Sequence, residues 1–318
     1  MTSVKPAVLI TDNVHELLIS GLEAAGYQCH YLPDIDPLVV PEKIRDYTGI
    51  VINSKITVDK VFLQNAPNLR FIARLGSGLE IIDLDAARER KVLVHRSPDG
   101  NCDAVAEHAL GMLLALANNL CIANAEVRKK IWRREELRGW ELMGKTVGIM
   151  GFGFTGAAFA KRLSGFDVSV LAYDKYRNDF AGNFSHVTAA SMEQIFEEAD
   201  VLSIHLPLTA ETSGMIDEAF LDKFKKPIVL VNTARGEIVH TKVIINALDS
   251  GKLLGACLDV FENEKPKTYS AEQEILFANL FERPNVLLSP HIAGWTQESK
   301  RRLSQLLLQR IINEAEMI

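Results

Sequence analysis

The chain has 318 residues, of which 47% are hydrophobic and 24% charged, with a formal net charge of −6 and an isoelectric point of about 5.8. This composition is that of a globular protein long enough for about two domains. The acidic balance argues against nucleic-acid binding, which needs a basic surface. The four cysteines show no paired motif and no metal-ligand spacing, so we expect reduced thiols, no metal site and a cytoplasmic location.

Short apolar runs alternate with amphipathic segments along the first 95 residues. Strands are predicted at Ala7–Ile10, Gln28–Leu32, Gly49–Ile52, Phe71–Arg74 and Val92–His95. Helices are predicted between them, at Val14–Ala25, Pro41–Asp46, Val58–Gln64 and Leu84–Arg90. This alternation indicates a parallel sheet with helices on both faces, and no secretory signal is recognised before its first strand.

A turn-forming cluster at residues 97–101 leads into a long apolar helix from about Ala104. We expect this helix to be buried and no membrane partner to exist, because residues 104–120 are too short and too polar for a membrane span. A polar helix is predicted to follow, from Glu126 to Arg138. Its basic cluster, at residues 128–134, is either a solvated helix face or an anion site.

Residues 146–156 carry the most informative motif of the chain. A short apolar strand enters three glycines, Gly151, Gly153 and Gly156, with the spacing G-x-G-x-x-G, and a helical segment follows. A second apolar run, at residues 168–173, ends in Asp174. In a dinucleotide-binding unit the pyrophosphate meets the helix N-terminus, and such an acid accepts hydrogen bonds from the adenosine ribose. We therefore predict a Rossmann domain that prefers NAD to NADP.

The alternation of strands and helices continues to residue 288. Strands are predicted at Asp200–His205, Ile228–Asn232, Leu254–Leu258 and Val286–Leu288, and helices at Ser191–Glu198, Asp217–Phe224, Thr241–Ser250 and Gln297–Glu314. We predict two doubly wound parallel-sheet α/β domains. A Rossmann NAD-binding domain at residues 99–289 is inserted in a flavodoxin-like substrate domain formed by residues 1–98 and 290–318, with a hinged cleft between them.

Three of the later strands run directly into residues that suit acid–base chemistry. Arg235 follows residues 228–232, the carboxylates of Asp259, Glu262 and Glu264 follow residues 254–258, and His291 follows residues 286–288. A histidine can exchange a proton near neutral pH, a carboxylate can orient its ring, and an arginine can hold a substrate carboxylate. This set suits the oxidation of a 2-hydroxy acid by hydride transfer to a nicotinamide.

Over nearly its whole length the chain resembles the D-isomer-specific 2-hydroxyacid dehydrogenases. The resemblance is carried by Arg74–Gly78, Ala104–His108, Gly144–Ile149, Gly151–Gly156, His205–Thr209, Asn232–Gly236 and Ser289–His291. It implies a catalytic triad of Arg235, Glu264 and His291, with Glu264 rather than Glu262 as the partner of the histidine. It also implies that Ser77 and Gly78 offer backbone N–H groups to the substrate carboxylate. The cofactor-binding residues that it implies are Gly151, Gly153, Phe154, Thr155, Gly156, Asp174, Pro207, Thr212, Thr233, Ala234, Asp259 and Gly294.

Within the family the chain is most similar to D-3-phosphoglycerate dehydrogenases, the enzymes of serine biosynthesis. Arg74 and Arg134 stand where those enzymes place phosphate-binding arginines. The second of these reaches across a dimer interface in the family, so we expect a homodimer through the nucleotide-binding domain. The chain ends at Ile318, and the C-terminal regulatory domain of some relatives is not expected.

Two departures from those enzymes leave the substrate open. Glu80 and Ile81 stand where an Asp-Asn pair is usual, and a basic residue after the third strand has only Asn53 and Lys55 as candidates. The same chemistry on a smaller acid, such as lactate, glycerate, hydroxypyruvate or glyoxylate, is the first alternative. An NAD-sensing binding module, like the transcriptional corepressors built on this fold, is the second.

Overall fold

The structure is a computed structural model that describes residues 5–177, 180 and 184–315. The chain divides into two compact units, which are Met1–Asn101 with Trp295–Ile318, and Cys102–Gly294. The two domain boundaries predicted from the sequence lie slightly earlier in the chain, at residues 98–99 and 289–290.

The first unit contains a parallel sheet of five strands in the order β2-β1-β3-β4-β5. The strands are β1 (Ala7–Ile10), β2 (Gln28–Tyr31), β3 (Gly49–Ile52), β4 (Phe71–Arg74) and β5 (Leu93–Arg96). Its helices are α1 (Glu16–Ala24), α2 (Val40–Lys43), α3 (Lys60–Gln64), α4 (Leu84–Glu89) and, from the end of the chain, α12 (Gln297–Ala315). Leu307 and Ile311 of α12 are buried in one core with Val8 and Leu18, whereas Leu9 and Phe62 lie in the core on the other face.

The second unit contains a parallel sheet of seven strands in the order β12-β11-β10-β9-β6-β7-β8. The strands are β6 (Thr146–Met150), β7 (Ser169–Tyr173), β8 (Val187–Ala189), β9 (Val201–Ile204), β10 (Ile228–Asn232), β11 (Leu253–Leu258) and β12 (Val286–Leu288). The helices are α5 (Cys102–Ala117), α6 (Leu120–Arg128), α7 (Phe154–Leu163), α8 (Met192–Glu198), α9 (Glu218–Asp222), α10 (Thr241–Asp249) and α11 (Ala271–Phe281). The strand order reverses between β6 and β9, and ligands of such sheets bind at this switch point.

The predicted fold class, two doubly wound parallel α/β domains, is confirmed. Strand β8 and helix α11 were not predicted. Helix α11 begins with a capping box between Ser270 and Gln273, a pattern that is readable in the sequence.

The polar helix predicted from Glu126 to Arg138 is wrong. Helix α6 ends at Arg128, Lys130 adopts a left-handed φ of 60°, and the amide of Ile131 donates to the carbonyl oxygen of Glu126. This reversal closes the helix, because it satisfies a carbonyl group of the last turn. The basic residues from Arg133 onward therefore lie in a non-helical segment with turns between α6 and β6.

Within the described part of the chain, no single helix is both long and apolar enough to cross a membrane. Helices α5 and α6 reach that length and apolar composition only when taken together, as a bent pair. The four cysteines, Cys29, Cys102, Cys121 and Cys257, are free thiols. Burial raises the pKa of the Cys257 thiol, which lies inside the second sheet, so this thiol stays protonated at neutral pH.

Candidate active site

The glycine turn after β6 is shaped for a close backbone approach. Gly151 has a φ of 90°, and a Cβ atom there would lie 2.6 Å from the carbonyl oxygen of His205. At Gly156 a Cβ atom would lie 2.0 Å from the carbonyl oxygen of Gly151, so only glycine lets α7 pack this closely on the turn. A Cβ atom at Gly153 would meet nothing within 4 Å, and α7 starts there without a side-chain cap. The turn thus leaves amide groups and space for a pyrophosphate.

Two predicted residues of this turn are exposed to different degrees. Phe154, the first residue of α7, is 56% exposed, whereas Thr155 is partly buried. Both lie in the first turn of the helix, whose amide groups have no intrahelical partner.

Asp174 connects the end of β7 to the glycine turn. Its Oδ2 atom accepts a hydrogen bond of 2.8 Å from the amide of Phe152, and its Oδ1 atom accepts one of 3.0 Å from the amide of Tyr176. These contacts hold the carboxylate at the carboxyl end of β7, where the ribose of a dinucleotide lies in Rossmann domains.

The loops after β9 and β10 contain four more of the predicted cofactor residues, Pro207, Thr212, Thr233 and Ala234. The Thr212 hydroxyl donates a 2.7 Å hydrogen bond to the carbonyl oxygen of Pro207, which fixes the loop conformation. The amide of Ala234 donates to the side-chain oxygen of Asn232 at 3.0 Å. The buried Oγ1 atom of Thr233 has no hydrogen-bond partner within residues 5–177, 180 and 184–315. A buried polar atom without a partner is costly, so Thr233 suits a ligand that supplies one. Together with the glycine turn, these residues fit a dinucleotide.

Arg235 lies in the segment that follows β10, which ends at Asn232. Its guanidinium donates a 2.6 Å hydrogen bond to the carbonyl oxygen of Ala234, and its own carbonyl oxygen accepts from the side chain of Asn232. A Cβ atom at Gly236 would lie 1.9 Å from the backbone carbon of Phe261. The absence of a side chain at Gly236 therefore lets the arginine segment pack against the segment that carries the carboxylates.

The imidazole of His291 contacts Glu264. The Nδ1 atom of the histidine lies 2.7 Å from Oε2 of the glutamate, and Glu264 Oε1 also accepts from the amide of Phe261. Glu262 instead accepts hydrogen bonds from the amide and hydroxyl of Thr241, at 3.2 and 2.7 Å, at the start of α10. The geometry thus pairs the histidine with Glu264 and gives Glu262 a capping role.

Asp259 organises the backbone that carries His291. The aspartate is fully buried, and its carboxylate accepts from the amides of Ile292 and Ala293, each at 2.9 Å. His291 has a left-handed φ of 55°, and its amide donates to the carbonyl oxygen of Asp259 at 2.7 Å. Non-glycine residues seldom adopt this conformation because it costs free energy. The hydrogen bonds to Asp259 offset the cost of the left-handed backbone at His291. Asp259 was predicted as a cofactor residue, and in the structure its side chain positions the histidine loop.

Ser289 and His108 extend this network, and sequence reasoning gave neither a role. The Ser289 hydroxyl donates to Asp259 Oδ1 at 2.6 Å, and His108 Nε2 lies 2.9 Å from the same hydroxyl. Both residues lie inside the segments Ala104–His108 and Ser289–His291 that carry the family resemblance. Membership in those motifs was the sequence signal that could have identified Ser289 and His108 as functional residues. Gly294, which ends the second unit, is partly buried.

The predicted substrate residues of the first unit lie in the turn after β4. Gly76 has a φ of 141°, and Arg74 folds over this turn, donating to the carbonyl oxygen of Leu75 and, at 3.0 Å, to Asn53 Oδ1. The carbonyl oxygen of Ser77 accepts from Arg96, and Gly78 is partly buried. The Arg74 guanidinium is therefore partly committed to holding the turn.

The remaining basic candidates are placed differently. Lys55 donates a 2.5 Å hydrogen bond to the carbonyl oxygen of Pro33 within the first unit. Arg134 is exposed in the segment between α6 and β6, rather than on the helix where it was expected.

Comparison with known proteins places the chain in a family. The family model described as "D-isomer specific 2-hydroxyacid dehydrogenase, NAD binding domain" matches residues 110–293. A D-3-phosphoglycerate dehydrogenase of Mycobacterium tuberculosis is 37% identical over 303 residues, which cover 93% of this chain and 54% of that protein. The chain thus spans about half the length of such relatives. A glyoxylate reductase of Thermococcus litoralis is 36% identical over 321 residues, covering 97% of this chain and 93% of that protein.

The solved structures agree with the sequence relatives. A D-lactate dehydrogenase of Aquifex aeolicus, in complex with NAD and lactic acid, superposes with a TM-score of 0.83 at 25% identity, covering 98% of this chain and 96% of that one. The predicted NAD cofactor is confirmed by the matching NAD-binding domain. The chain belongs to the D-isomer-specific 2-hydroxyacid dehydrogenase family.

Proposed function

We propose that the chain catalyses the NAD-dependent interconversion of a D-2-hydroxy acid and its 2-oxo acid. The observation that carries this proposal is the 2.7 Å contact between His291 and Glu264 at the strand ends that also present Arg235. A nicotinamide dinucleotide held by the glycine turn, Asp174 and Thr233 would supply hydride transfer to and from the substrate carbon. The protein must then supply proton exchange and substrate orientation.

His291 is the proton carrier in this proposal. Because the glutamate carboxylate can only accept, the Nδ1–H of the ring donates to Glu264, and Nε2 remains to exchange a proton with the substrate oxygen. In the reduction direction the ring gives up that proton, and Glu264 stabilises the charged imidazolium beforehand. Arg235 presents a planar guanidinium suited to a two-pronged contact with the substrate carboxylate. The N–H groups of Ser77 and Gly78 are proposed as further donors to that carboxylate.

We propose a phosphorylated three-carbon acid, 3-phosphoglycerate with 3-phosphohydroxypyruvate, as the substrate pair, which would place the chain in serine biosynthesis. The support is the position of Arg74 beside the turn that contains Ser77 and Gly78, together with the relatives named D-3-phosphoglycerate dehydrogenase. A phosphate brings about two negative charges, which a basic side chain must meet. Arg134 is proposed as a second phosphate ligand, acting on a neighbouring subunit.

A smaller acid such as glyoxylate or hydroxypyruvate is the second candidate. Two observations favour it: the Arg74 guanidinium already donates to Leu75 and Asn53, and the Thermococcus litoralis glyoxylate reductase matches over 93% of its own length. Under this candidate Arg74 holds the turn and needs no phosphate.

A homodimer through the nucleotide-binding unit is proposed from exposed apolar side chains in α6 and in the segment between α6 and β6. Large apolar side chains are exposed there, with Leu120 at 54%, Trp132 at 70% and Met143 at 63%. Exposed apolar side chains of this size are typical of surfaces that another subunit covers. We also propose a cytoplasmic location, because free cysteines suit a reducing compartment.

The test is an activity screen with NADH and three 2-oxo acids: 3-phosphohydroxypyruvate, hydroxypyruvate and glyoxylate. The first proposal predicts the highest kcat/KM for the phosphorylated acid and the loss of most of that preference in Arg74→Ala and Arg134→Ala. A higher kcat/KM for an unphosphorylated acid supports the second candidate. NADH binding without turnover of any 2-hydroxy or 2-oxo acid would contradict both and support an NAD-sensing protein.

A further inference from the structure

Two basic residues follow the acid at the end of β7. Between Asp174 and Ser185 the sequence has only Lys175 and Arg177 as cations. Either one is a candidate ligand for the additional phosphate of NADP, and a preference for NAD requires that neither is available to it. The structure shows what each of the two contacts.

Arg177 is bound to the glycine turn. Its guanidinium donates a 3.0 Å hydrogen bond to the carbonyl oxygen of Phe152, the residue whose amide donates to Asp174. The arginine and the aspartate therefore hold the same peptide segment from two sides.

Lys175 is bound to Glu211. Its ammonium forms a hydrogen-bonded ion pair with Glu211 Oε1, and the Tyr176 hydroxyl lies 3.5 Å from Glu211 Oε2. This hydrogen bond raises the pKa of Lys175 and lowers the pKa of Glu211, so both are charged at neutral pH. The side chains are 52% and 47% exposed, so the pair contributes little to stability.

The position of the pair relates it to the cofactor. Lys175 follows β7 and Glu211 lies in the loop after β9, and β6 with its glycine turn lies between these two strands in the sheet. The pair therefore spans the carboxyl end of β6, beside the carboxylate of Asp174. A 2′-phosphate at the ribose would meet the charge of Asp174, and the nearest lysine is already neutralised by Glu211.

We propose that Glu211 is a specificity-determining residue that enforces NAD over NADP by holding Lys175 in an ion pair. The proposal rests on the assignment of Asp174 to the cofactor ribose. In a variant without the Glu211 charge, Lys175 is released beside Asp174 and can donate to a 2′-phosphate. Hydrogen bonds to charged groups are strong enough for a change in affinity of about tenfold or more.

The test is calorimetric titration of the purified chain with NADH and with NADPH, which needs no substrate. Glu211→Gln is expected to lower the ratio of the NADPH to the NADH dissociation constant by at least about tenfold, while the NADH constant itself changes by less than about threefold. Glu218→Gln is the matched control, since Glu218 is an exposed acid of the same unit and accepts a 3.1 Å hydrogen bond from Asn246 rather than from a lysine. It should leave the ratio unchanged.

A double variant distinguishes the effect of the released lysine from the effect of removing the glutamate charge. Lys175→Gln with Glu211→Gln should return the ratio to within about threefold of wild type, because no lysine is then released. An unchanged ratio in Glu211→Gln overturns the proposal, and so does a gain that persists in the double variant. Failure of the wild-type chain to bind NADH would instead overturn the ribose assignment, and the proposal with it.

Discussion

The Nδ1 atom of His291 lies 2.7 Å from Oε2 of Glu264, although the two residues are 27 positions apart in the chain. Strands β11 and β12 are neighbours in the parallel sheet, and the segments that follow them bring the two side chains together. This contact fixes which ring nitrogen is available to a substrate.

Glu264→Gln is expected to lower kcat for reduction by about 10²-fold. The amide keeps the approximate shape and can still hydrogen-bond, but it no longer stabilises the positive charge of the imidazolium or enforces its orientation. Steady-state kinetics measure the loss. Glu262→Gln is the control and should keep kcat within about twofold, since Glu262 caps α10 through Thr241. Equal losses in both variants would show that the contact has no special role.

Ser289→Ala is expected to destabilise the second unit by about 1–2 kcal/mol and to lower kcat. The substitution removes the hydroxyl that donates to the buried carboxylate of Asp259, which also holds the backbone after His291. Urea unfolding followed by circular dichroism gives the stability change. Ser213→Ala, at an exposed serine of the same unit, should change neither quantity. Wild-type stability in Ser289→Ala would contradict the positioning role of Asp259.

Asp174→Ala is expected to weaken NADH binding by about tenfold and to reduce the preference of the protein for NADH over NADPH. The carboxylate has two tasks, since it is placed for the ribose and it also accepts from the amide of Phe152 in the glycine turn. Fluorescence titration with each nucleotide measures both effects. Unchanged NADH affinity in the variant would mean that the ribose does not lie at Asp174.

His205 makes stability depend on pH. Burial lowers the pKa of its imidazole to about 3, so the folded protein keeps this ring neutral at pH values where the unfolded chain protonates it. The unfolded state therefore binds an additional proton below a pH of about 6.5, and the free energy of unfolding falls as the pH falls, by up to about 1.4 kcal/mol per pH unit from this residue. In His205→Gln, the free energy of unfolding, measured with urea at several pH values between 5 and 6.5, should change with pH less steeply than in wild type, by about that amount. The same slope as wild type would contradict the effect of burial.

The sequence was sufficient for the features that depend on local pattern. Strands such as β3, β4 and β10 were predicted to the residue, because apolar runs bounded by turn residues define them. The glycine turn was predicted from its spacing, since only glycine allows the contacts at Gly151 and Gly156. The likeness to known dehydrogenases then supplied the choice of Glu264 over Glu262.

The features that the sequence did not reveal depend on hydrogen bonds within turns and between segments distant in the chain. The helix predicted to continue to Arg138 ends at Arg128, where hydrogen bonds to Glu126 and Val127 reverse the chain at Lys130. Helical propensity does not report such a reversal. The role of Asp259 depends on the left-handed backbone of His291, and the pairing of Lys175 with Glu211 joins loops after two strands that are not adjacent in the sheet.

The most direct measurement of the central claim is the kcat of His291→Asn in the reduction of the preferred 2-oxo acid with NADH. Asparagine keeps a polar side chain of similar size but cannot serve as the proton donor. We expect kcat to fall by about 10²- to 10⁴-fold, with NADH affinity within about twofold of wild type. His240→Asn, at an exposed histidine of the same unit, should retain wild-type kcat. A kcat of His291→Asn close to that of wild type would contradict the account.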